Sequence, residues 1–263
     1  MDLGLAGKRA FVSGSTQGIG YAIAAALATE GASVVVNGRD EGRVAAAVER
    51  LRSALPGGDV TGIAADFADA GQVRRLLDGL GEVDVLVNNV GVFGVKDFAD
   101  ISDDEWQRYF EINVMSGVRL SRHVLGPMLA RGWGRIIFIA SESGVNVPAA
   151  MTHYGTTKAA MLALGNGLAK LTRGTQVTVN TILGGPTYSD GVAQAVEQIA
   201  QAQAVPADEV KNAIAAGNQT SLLQRFLDPA EIADLAVYLA SPRSSATNGS
   251  AVRADGGVLT AIL

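Results

Sequence analysis

Tyr154 and Lys158 form the pair of side chains whose types and spacing first suggest chemistry. Of the five tyrosines in the chain, only Tyr154 has a lysine four residues later. Residues four apart share a face of a helix, so the ammonium would lie beside the phenol. Lowering the pKa of a phenol from near 10 by roughly 3 units, about 4 kcal/mol, would make it a usable acid or base. The alternative is an ordinary pair on a surface helix.

A glycine-rich segment near the amino terminus is a second candidate. Gly14, Gly18 and Gly20 lie between an apolar run and a helix-forming run, in the spacing Gly-x3-Gly-x-Gly. Glycines at a strand-to-helix turn let the backbone approach a pyrophosphate, whose charge then lies on the N–H groups of the helix N-terminus. A plain tight turn is the alternative. The position of the segment, at the first predicted crossover, favours dinucleotide binding.

The composition excludes several other kinds of site. The 263 residues include 21 Lys and Arg against 26 Asp and Glu, so the basic surface that nucleic acid requires is missing. The absence of cysteine excludes disulfides and thiolate chemistry, and with only His123 and His153 we expect no metal site. The first residues are unlike a secretory signal and no apolar run has the length of a membrane span. We therefore expect a cytoplasmic protein that binds no membrane.

The elements that must position these residues follow from hydrophobic periodicity. Short runs that are apolar throughout alternate with segments whose apolar residues recur every three or four positions. This pattern predicts an α/β fold with a doubly wound, Rossmann-type parallel sheet and helices on both faces. No linker divides the chain, so we predict one catalytic domain, residues 1–263. About seven strands are predicted, at 9–13, 33–37, 60–64, 83–88, 135–140, 176–183 and 250–254.

Three longer segments are predicted to be helical. Two are single helices, at 103–131 and 152–173. The third, 189–219, follows the sixth strand and has apolar faces at Val192, Val196 and Ile199 and at Val210 and Ile214. Because parallel sheets bind ligands at their carboxyl edge, we interpret residues 189–219 as a helical lid over the substrate.

Together, these motifs resemble the short-chain dehydrogenase/reductase family. The resemblance spans essentially the whole chain, with the motifs in the family's order. It is carried by Ser13-Gly14-x3-Gly18-x-Gly20, Asp66, Asn88-Asn89-Val90-Gly91, Asn113, Ser141, Tyr154-x3-Lys158, Asn180, Gly184-Gly185-Pro186-Thr187 and Asp255-Gly256-Gly257. Val90 and Gly184 depart from it, since they stand where the family usually has alanine and proline.

The resemblance implies four catalytic residues. Tyr154 would exchange a proton with the substrate oxygen, and Ser141 would hydrogen-bond that oxygen, with Ser143 as a rival for the role. Lys158 would bind the ribose of the cofactor and lower the pKa of Tyr154. Asn113 would interrupt its helix and hold a water molecule of the proton relay.

The resemblance also implies a nicotinamide dinucleotide cofactor. Gly38 stands where NAD-preferring members carry an acid, and Arg39 follows, where a guanidinium can pair with a 2′-phosphate. Asp40 is interpreted as a helix cap. We therefore expect NADP(H), with NAD(H) as the alternative, since Gln17 stands where many NADP members have a base. The implied cofactor-binding residues are Gly14, Ser15, Thr16, Gln17, Gly18, Ile19, Gly20, Arg39, Asp66, Phe67, Asn89, Gly91, Tyr154, Lys158, Gly185 and Thr187.

The function implied is hydride transfer between this cofactor and a ketone or secondary alcohol, as NADPH-dependent carbonyl reduction. One alternative is a 3-oxoacyl thioester reductase, and another is a non-catalytic dinucleotide sensor or assembly subunit. The expected partners are a small carbonyl or alcohol substrate and further copies of the chain, as a homotetramer or homodimer.

Overall fold

The computed structural model describes residues 2–262, and its central feature is a seven-stranded sheet. All neighbouring strands are parallel, and their order along the sheet is three, two, one, four, five, six, seven. The predicted Rossmann-type sheet is thereby confirmed. The strands are β1 (Arg9–Val12), β2 (Ser33–Gly38), β3 (Val60–Ala64), β4 (Val85–Asn88), β5 (Trp133–Ser141), β6 (Gln176–Gly184) and β7 (Ala251–Ala254).

Helices cover both faces of this sheet because successive strand residues point to opposite sides. Val34 and Val36 of β2 belong to one apolar core, whereas Val35 between them belongs to the other. The first core includes side chains of α1 (Gly18–Thr29), α2 (Glu41–Ala54) and α9 (Pro229–Ala240), and the second those of α3 (Ala70–Leu80), α5 (Ser116–Arg131) and α6 (Thr152–Lys170). The remaining helices are α4 (Asp103–Phe110), α7 (Asp190–Gln203) and α8 (Ala207–Gly217).

The predicted helical segment 103–131 is continuous, and it is distorted at Asn113 as the resemblance implies. Between α4 and α5 the chain forms a π-helical turn, Glu111–Met115, at whose centre lies the buried Asn113. The Asn113 amide donates to the Val92 carbonyl oxygen at 2.9 Å and accepts from the Val92 N–H at 2.7 Å. A side chain that pairs with a neighbouring loop in this way stabilises the widened turn, and π-turns of this kind are frequent at functional sites.

Two expectations need small corrections. The middle of β3, at Thr61 and Gly62, is exposed, because β3 is an edge strand and not a strand buried on both faces. The segment 189–219 does contain two helices, α7 and α8, which pack through Val196 and Val210. Ile199 and Ile214, by contrast, are about two-fifths exposed instead of covered.

Within residues 2–262, no helix has both the length and the apolar character needed to cross a bilayer.

Two glycines of α6 provide a matched test of how closely this helix packs on the sheet. A Cβ at Gly165 would lie 2.6 Å from Thr181 Oγ1 and 3.4 Å from the Phe138 ring, whereas one at Gly167 would meet nothing within 4 Å. We expect Gly165→Ala to destabilise the protein by about 1–3 kcal/mol through overpacking. Gly167→Ala should stabilise it by about 0.5–1 kcal/mol, because alanine loses less backbone entropy in a helix. Urea unfolding of both variants measures the difference, and equal effects at the two positions would contradict the packing described.

Candidate active site

The candidate site lies at the carboxyl edge of the sheet, where the order of strands reverses between β1 and β4. Two adjoining cavities occupy this edge and share Gly14, Gln17 and the loop 90–92. The first extends towards the end of β2 at Arg39, and the second extends towards Tyr154 on α6. Crevices at such a switch point are where doubly wound sheets bind ligands.

The glycine loop has the conformation that close approach of a ligand requires. Gly14 and Gly18 have positive φ angles of 62° and 59°, which favour glycine. A Cβ at Gly20 would come within 2.4 Å of the Gly14 carbonyl oxygen. The side chain of Gln17, the residue that precedes α1, makes no capping hydrogen bond, and the first turn of α1 contains no acidic residue. In this structure the Gly18 N–H donates to Asp190 Oδ2 of α7 at 2.6 Å, so a carboxylate lies at the helix N-terminus, the kind of position that also suits a dinucleotide pyrophosphate.

Hydrogen bonds from neighbouring side chains stabilise the conformation of this loop. The Asn89 amide donates to the carbonyl oxygens of Ser13 and Gly14, at 3.0 and 2.9 Å. The Ser15 hydroxyl donates to the Val12 carbonyl oxygen at 2.6 Å and accepts from the Asn37 N–H at 2.9 Å. Ser15 is fully buried, so its side chain does not face either cavity, contrary to the expectation that it contacts the cofactor.

Arg39 and Arg43 both line the far end of the first cavity. Arg43 lies in the first turn of α2, which begins at Glu41. Sequence reasoning missed this residue, although its position four residues after Arg39 was a signal. Asp40 caps α2 as predicted, since its carboxylate accepts from the Arg43 N–H at 2.8 Å. A Cβ at Gly38 would lie 2.5 Å from Thr16 Cγ2. An acidic side chain at position 38 therefore does not fit this loop as it stands.

Asp66 and Phe67, which follow β3, also line the first cavity, as expected. Asp66 organises its own loop, because its Oδ1 accepts from the Ala68 N–H at 2.9 Å. Phe67 is 2% exposed and packs into the core beneath the cavity.

The segment after β6 reaches the cavity later than expected. Gly185 packs against β7, where a Cβ would lie 2.6 Å from the Asp255 carbonyl oxygen, and the buried Thr187 hydroxyl donates to the Gly185 carbonyl oxygen at 2.9 Å. Neither residue lines a cavity, whereas Ser189 and Gly191 do. The reason is that Thr187 pairs with Leu227 in a short parallel bridge, which keeps the chain along the sheet for several more residues.

Tyr154 and Lys158 line the second cavity from consecutive turns of α6, but their electrostatics differ from the expectation. The Lys158 Nζ donates to the Ile139 carbonyl oxygen at 2.9 Å and lies 5.6 Å from the centre of the Tyr154 ring. Burial raises the pKa of Tyr154 to about 12, although the Ser141 hydroxyl acts in the opposite direction. Burial also lowers the pKa of Lys158 to about 8. The expected lowering of the Tyr154 pKa by Lys158 does not appear in this structure, where the pKa is raised and burial is the largest cause.

Ser141 lies at the end of β5, beside Tyr154, and begins a tight turn. Its Oγ accepts from the Ser143 N–H at 3.1 Å and donates to the carboxylate of Glu142. Ser143 also donates to Glu142, at 3.2 Å. Of the two hydroxyls, that of Ser141 hydrogen-bonds Tyr154 and lowers its pKa, which favours Ser141 over Ser143 as the hydroxyl that acts with Tyr154. Glu142 was missed by sequence reasoning.

The turn Glu142–Gly144 lies directly against α6. A Cβ at Gly144 would lie 2.8 Å from the backbone carbon of Lys158, and one at Gly155 would lie 2.7 Å from the Ser143 carbonyl oxygen. Asn113 approaches the same group, since its Nδ2 is 2.9 Å from Thr157 Oγ1 on α6. The four predicted catalytic residues, Asn113, Ser141, Tyr154 and Lys158, are thus brought together around α6.

Comparisons with known proteins agree with this geometry. A family model described as short chain dehydrogenase matches residues 8–200. The chain is 45% identical over 266 residues to the uncharacterized oxidoreductase YvrD of Bacillus subtilis (strain 168), with 100% of both chains covered. It is 32% identical over 260 residues to the 3-oxoacyl-acyl-carrier-protein reductase FabG of Vibrio harveyi, which covers 97% of this chain and 99% of the relative. L-sorbose reductase from Gluconobacter frateurii, complexed with NADPH and L-sorbose, has a TM-score of 0.94 at 32% identity, with 100% of both chains covered.

The buried Lys158 gives the free protein a pH dependence that a variant can isolate. Its pKa is about 8 in the folded chain, against an ordinary value of 10.5, so the unfolded chain binds the proton more tightly. The free energy of unfolding should therefore rise, relative to Lys158→Met, as the pH increases from about 8 to 10.5. Chemical unfolding of both proteins across this range measures the difference. Parallel curves for the two proteins would contradict the lowered pKa.

Proposed function

Because the chain belongs to the short-chain dehydrogenase/reductase family and is an oxidoreductase, we propose that it interconverts a ketone and a secondary alcohol with NADP(H) as the hydride carrier. The observation that carries this proposal is that Tyr154 and Lys158 line one end of a cavity whose other end is the glycine loop, with the Ser141 hydroxyl beside Tyr154. A bound nicotinamide dinucleotide would supply or accept the hydride at the reacting carbon.

We propose that this chain's own residues bind the substrate oxygen and move its proton. In the direction of reduction, the Tyr154 phenol donates its proton to the oxygen of the ketone, and the Ser141 hydroxyl orients that oxygen. A bound substrate and cofactor exclude water, so the protonated phenol favoured by burial is the form that this step needs. Lys158 replaces the phenol's proton through the polar groups around it, which include Asn113. A Cβ at Gly91 would lie 3.4 Å from Asn113 Oδ1 and 3.6 Å from Lys158 Nζ, so both side chains lie next to Gly91 of the cavity wall.

The preference for NADP(H) rests on the end of β2. Arg39 and Arg43 provide two guanidinium groups for a 2′-phosphate, and the crowding at Gly38 leaves no room there for the carboxylate that a 2′-hydroxyl would need. NADPH is the cofactor in the complex of L-sorbose reductase, whose fold matches over its full length. NAD(H) is the alternative that the kinetic comparison below tests.

A second candidate function is reduction of a 3-oxoacyl thioester, the reaction named for the FabG relative. The segment 189–219, which we propose acts as a lid, would have to admit a long acyl chain in that case. A third candidate, dinucleotide binding without catalysis, gives no reason for placing a proton donor beside Ser141. Assembly of the chain as a homotetramer or homodimer, and a cytoplasmic location, stay proposals.

Tyr154→Phe tests the proton donor. We expect the variant to reduce a ketone substrate roughly 10²–10⁴ times more slowly, because general acid catalysis is lost, while the dissociation constant for NADPH stays within a few-fold. Single-turnover rates and NADPH fluorescence titration measure the two quantities. A rate near that of the parent protein would overturn the mechanism.

Arg39→Ala tests the choice of cofactor. The parent should have a higher kcat/KM with NADPH than with NADH, and the variant should lose at least tenfold of this preference, or about 1.4 kcal/mol. Arg173→Ala is the matched control, because this exposed arginine precedes β6 and so lies near the opposite edge of the sheet. Equal use of the two cofactors by the parent would contradict the proposed preference.

A further inference from the structure

Glu142 places a carboxylate beside the hydroxyl that must orient the substrate oxygen. One of its oxygens, Oε2, accepts from the Ser141 hydroxyl, from the Ser143 N–H at 2.6 Å and from the Ser143 hydroxyl at 3.2 Å. Its negative charge extends to the rest of the site, since it raises the pKa of both Tyr154 and Lys158. The carboxylate is therefore part of the surroundings of the reacting group.

The second oxygen of this carboxylate is available to a ligand. Among residues 2–262, no hydrogen bond reaches Glu142 Oε1, and this atom is not one of the buried polar atoms that lack a partner. It is therefore accessible to solvent, beside the Ser141 hydroxyl that Oε2 binds. An acceptor that is fixed through its other oxygen needs no reorganisation to receive a donor.

Exposed apolar side chains lie beside Tyr154 and directly after the turn of Glu142. Phe93, whose ring meets the Tyr154 ring edge-on at 6.3 Å, is 51% exposed. Val145 and Val147, which follow the turn of Glu142, are 51% and 40% exposed. Among apolar side chains, a single carboxylate would fix the orientation of a polar group on the substrate.

We infer that Glu142 accepts a hydrogen bond from a hydroxyl group on the carbon next to the reacting carbonyl, and that the substrate is an α-hydroxy ketone or the corresponding vicinal diol. This inference rests on the proposed function, because it takes the carbonyl oxygen to bind at Ser141 and Tyr154. Two hydrogen bonds in series, from that oxygen through Ser141 to Glu142, span about 5–6 Å. A hydroxyl on the adjacent carbon lies within this distance of both ends.

The arrangement also explains why a plain ketone would bind less well. In the free protein the Ser141 proton is donated to Glu142, so donation to the substrate oxygen takes one hydrogen bond away from the carboxylate. A substrate hydroxyl replaces that bond, whereas a methylene group leaves a partly buried charge with one donor fewer. A neutral hydroxyl suits the site better than an ammonium group, because Lys158 already supplies a positive charge nearby.

The test compares matched pairs of ketones that differ by one hydroxyl group. The pairs are 3-hydroxy-2-butanone with 2-butanone, hydroxyacetone with acetone, and 2-hydroxycyclohexanone with cyclohexanone, each assayed with NADPH. We expect the parent protein to prefer the hydroxylated member by at least about tenfold in kcat/KM. Glu142→Leu should lower this ratio about tenfold, and Glu142→Gln, which keeps an acceptor oxygen, should retain most of it. Titration with NADPH shows that each variant is folded.

The outcomes separate this inference from the proposed function. If the parent uses both members of each pair equally, or if Glu142→Leu keeps the preference, the assignment of Glu142 is wrong and the proposed function stands. If the parent binds NADPH and reduces no ketone of either kind, the proposed function itself fails.

Discussion

The close approach between helix α6 and the turn that follows β5 is the contact on which the site depends. At Gly144 and at Gly155 the backbone of the opposite element comes so close that a Cβ atom on either glycine would clash with it. Much of the contact joins backbone to backbone, and the Val147 side chain adds to it at Gly155, so little space remains for the two elements to shift. Ser141 is therefore held at a fixed position relative to Tyr154, and the hydrogen bond from Lys158 to the Ile139 carbonyl oxygen attaches the same helix to β5.

The two ends of the groove present different chemical groups, backbone at one end and side chains at the other. At the glycine loop the groove is bounded by backbone at the N-terminus of α1, and side chains such as Asn89 hold the loop in shape. At the other end the chemistry belongs to the side chains of Ser141, Glu142 and Tyr154. The first end is suited to a ligand of fixed charge and shape, whereas the second can change its specificity through single substitutions.

Much of this arrangement could be predicted from the sequence because its signals are local. The apolar strands, the glycine spacing and the pair Tyr154 and Lys158 depend only on neighbouring residues. The features that sequence reasoning missed depend on tertiary contacts. The bridge between Thr187 and Leu227 decides that Ser189 reaches the cavity instead of Gly185, and burial decides the pKa of Tyr154. Glu142 was missed because an acidic residue in a loop carries no signal until its hydrogen bonds are seen.

The π-helical turn Glu111–Met115 changes the direction in which the side chains after it point around the helix axis. One extra residue in a turn rotates everything after it by about 100° relative to an uninterrupted α-helix. Tyr109 and Leu120, eleven positions apart, would otherwise lie about 20° from each other on the helix, and they lie about 80° apart instead. Tyr109 therefore packs on His153 of α6, with 4.1 Å between ring centres, while Leu120 faces the core beneath the sheet. A deletion of one residue within this turn would place Tyr109 and Leu120 on the same face of the helix. Either the contact with α6 or the packing on the sheet would then be lost.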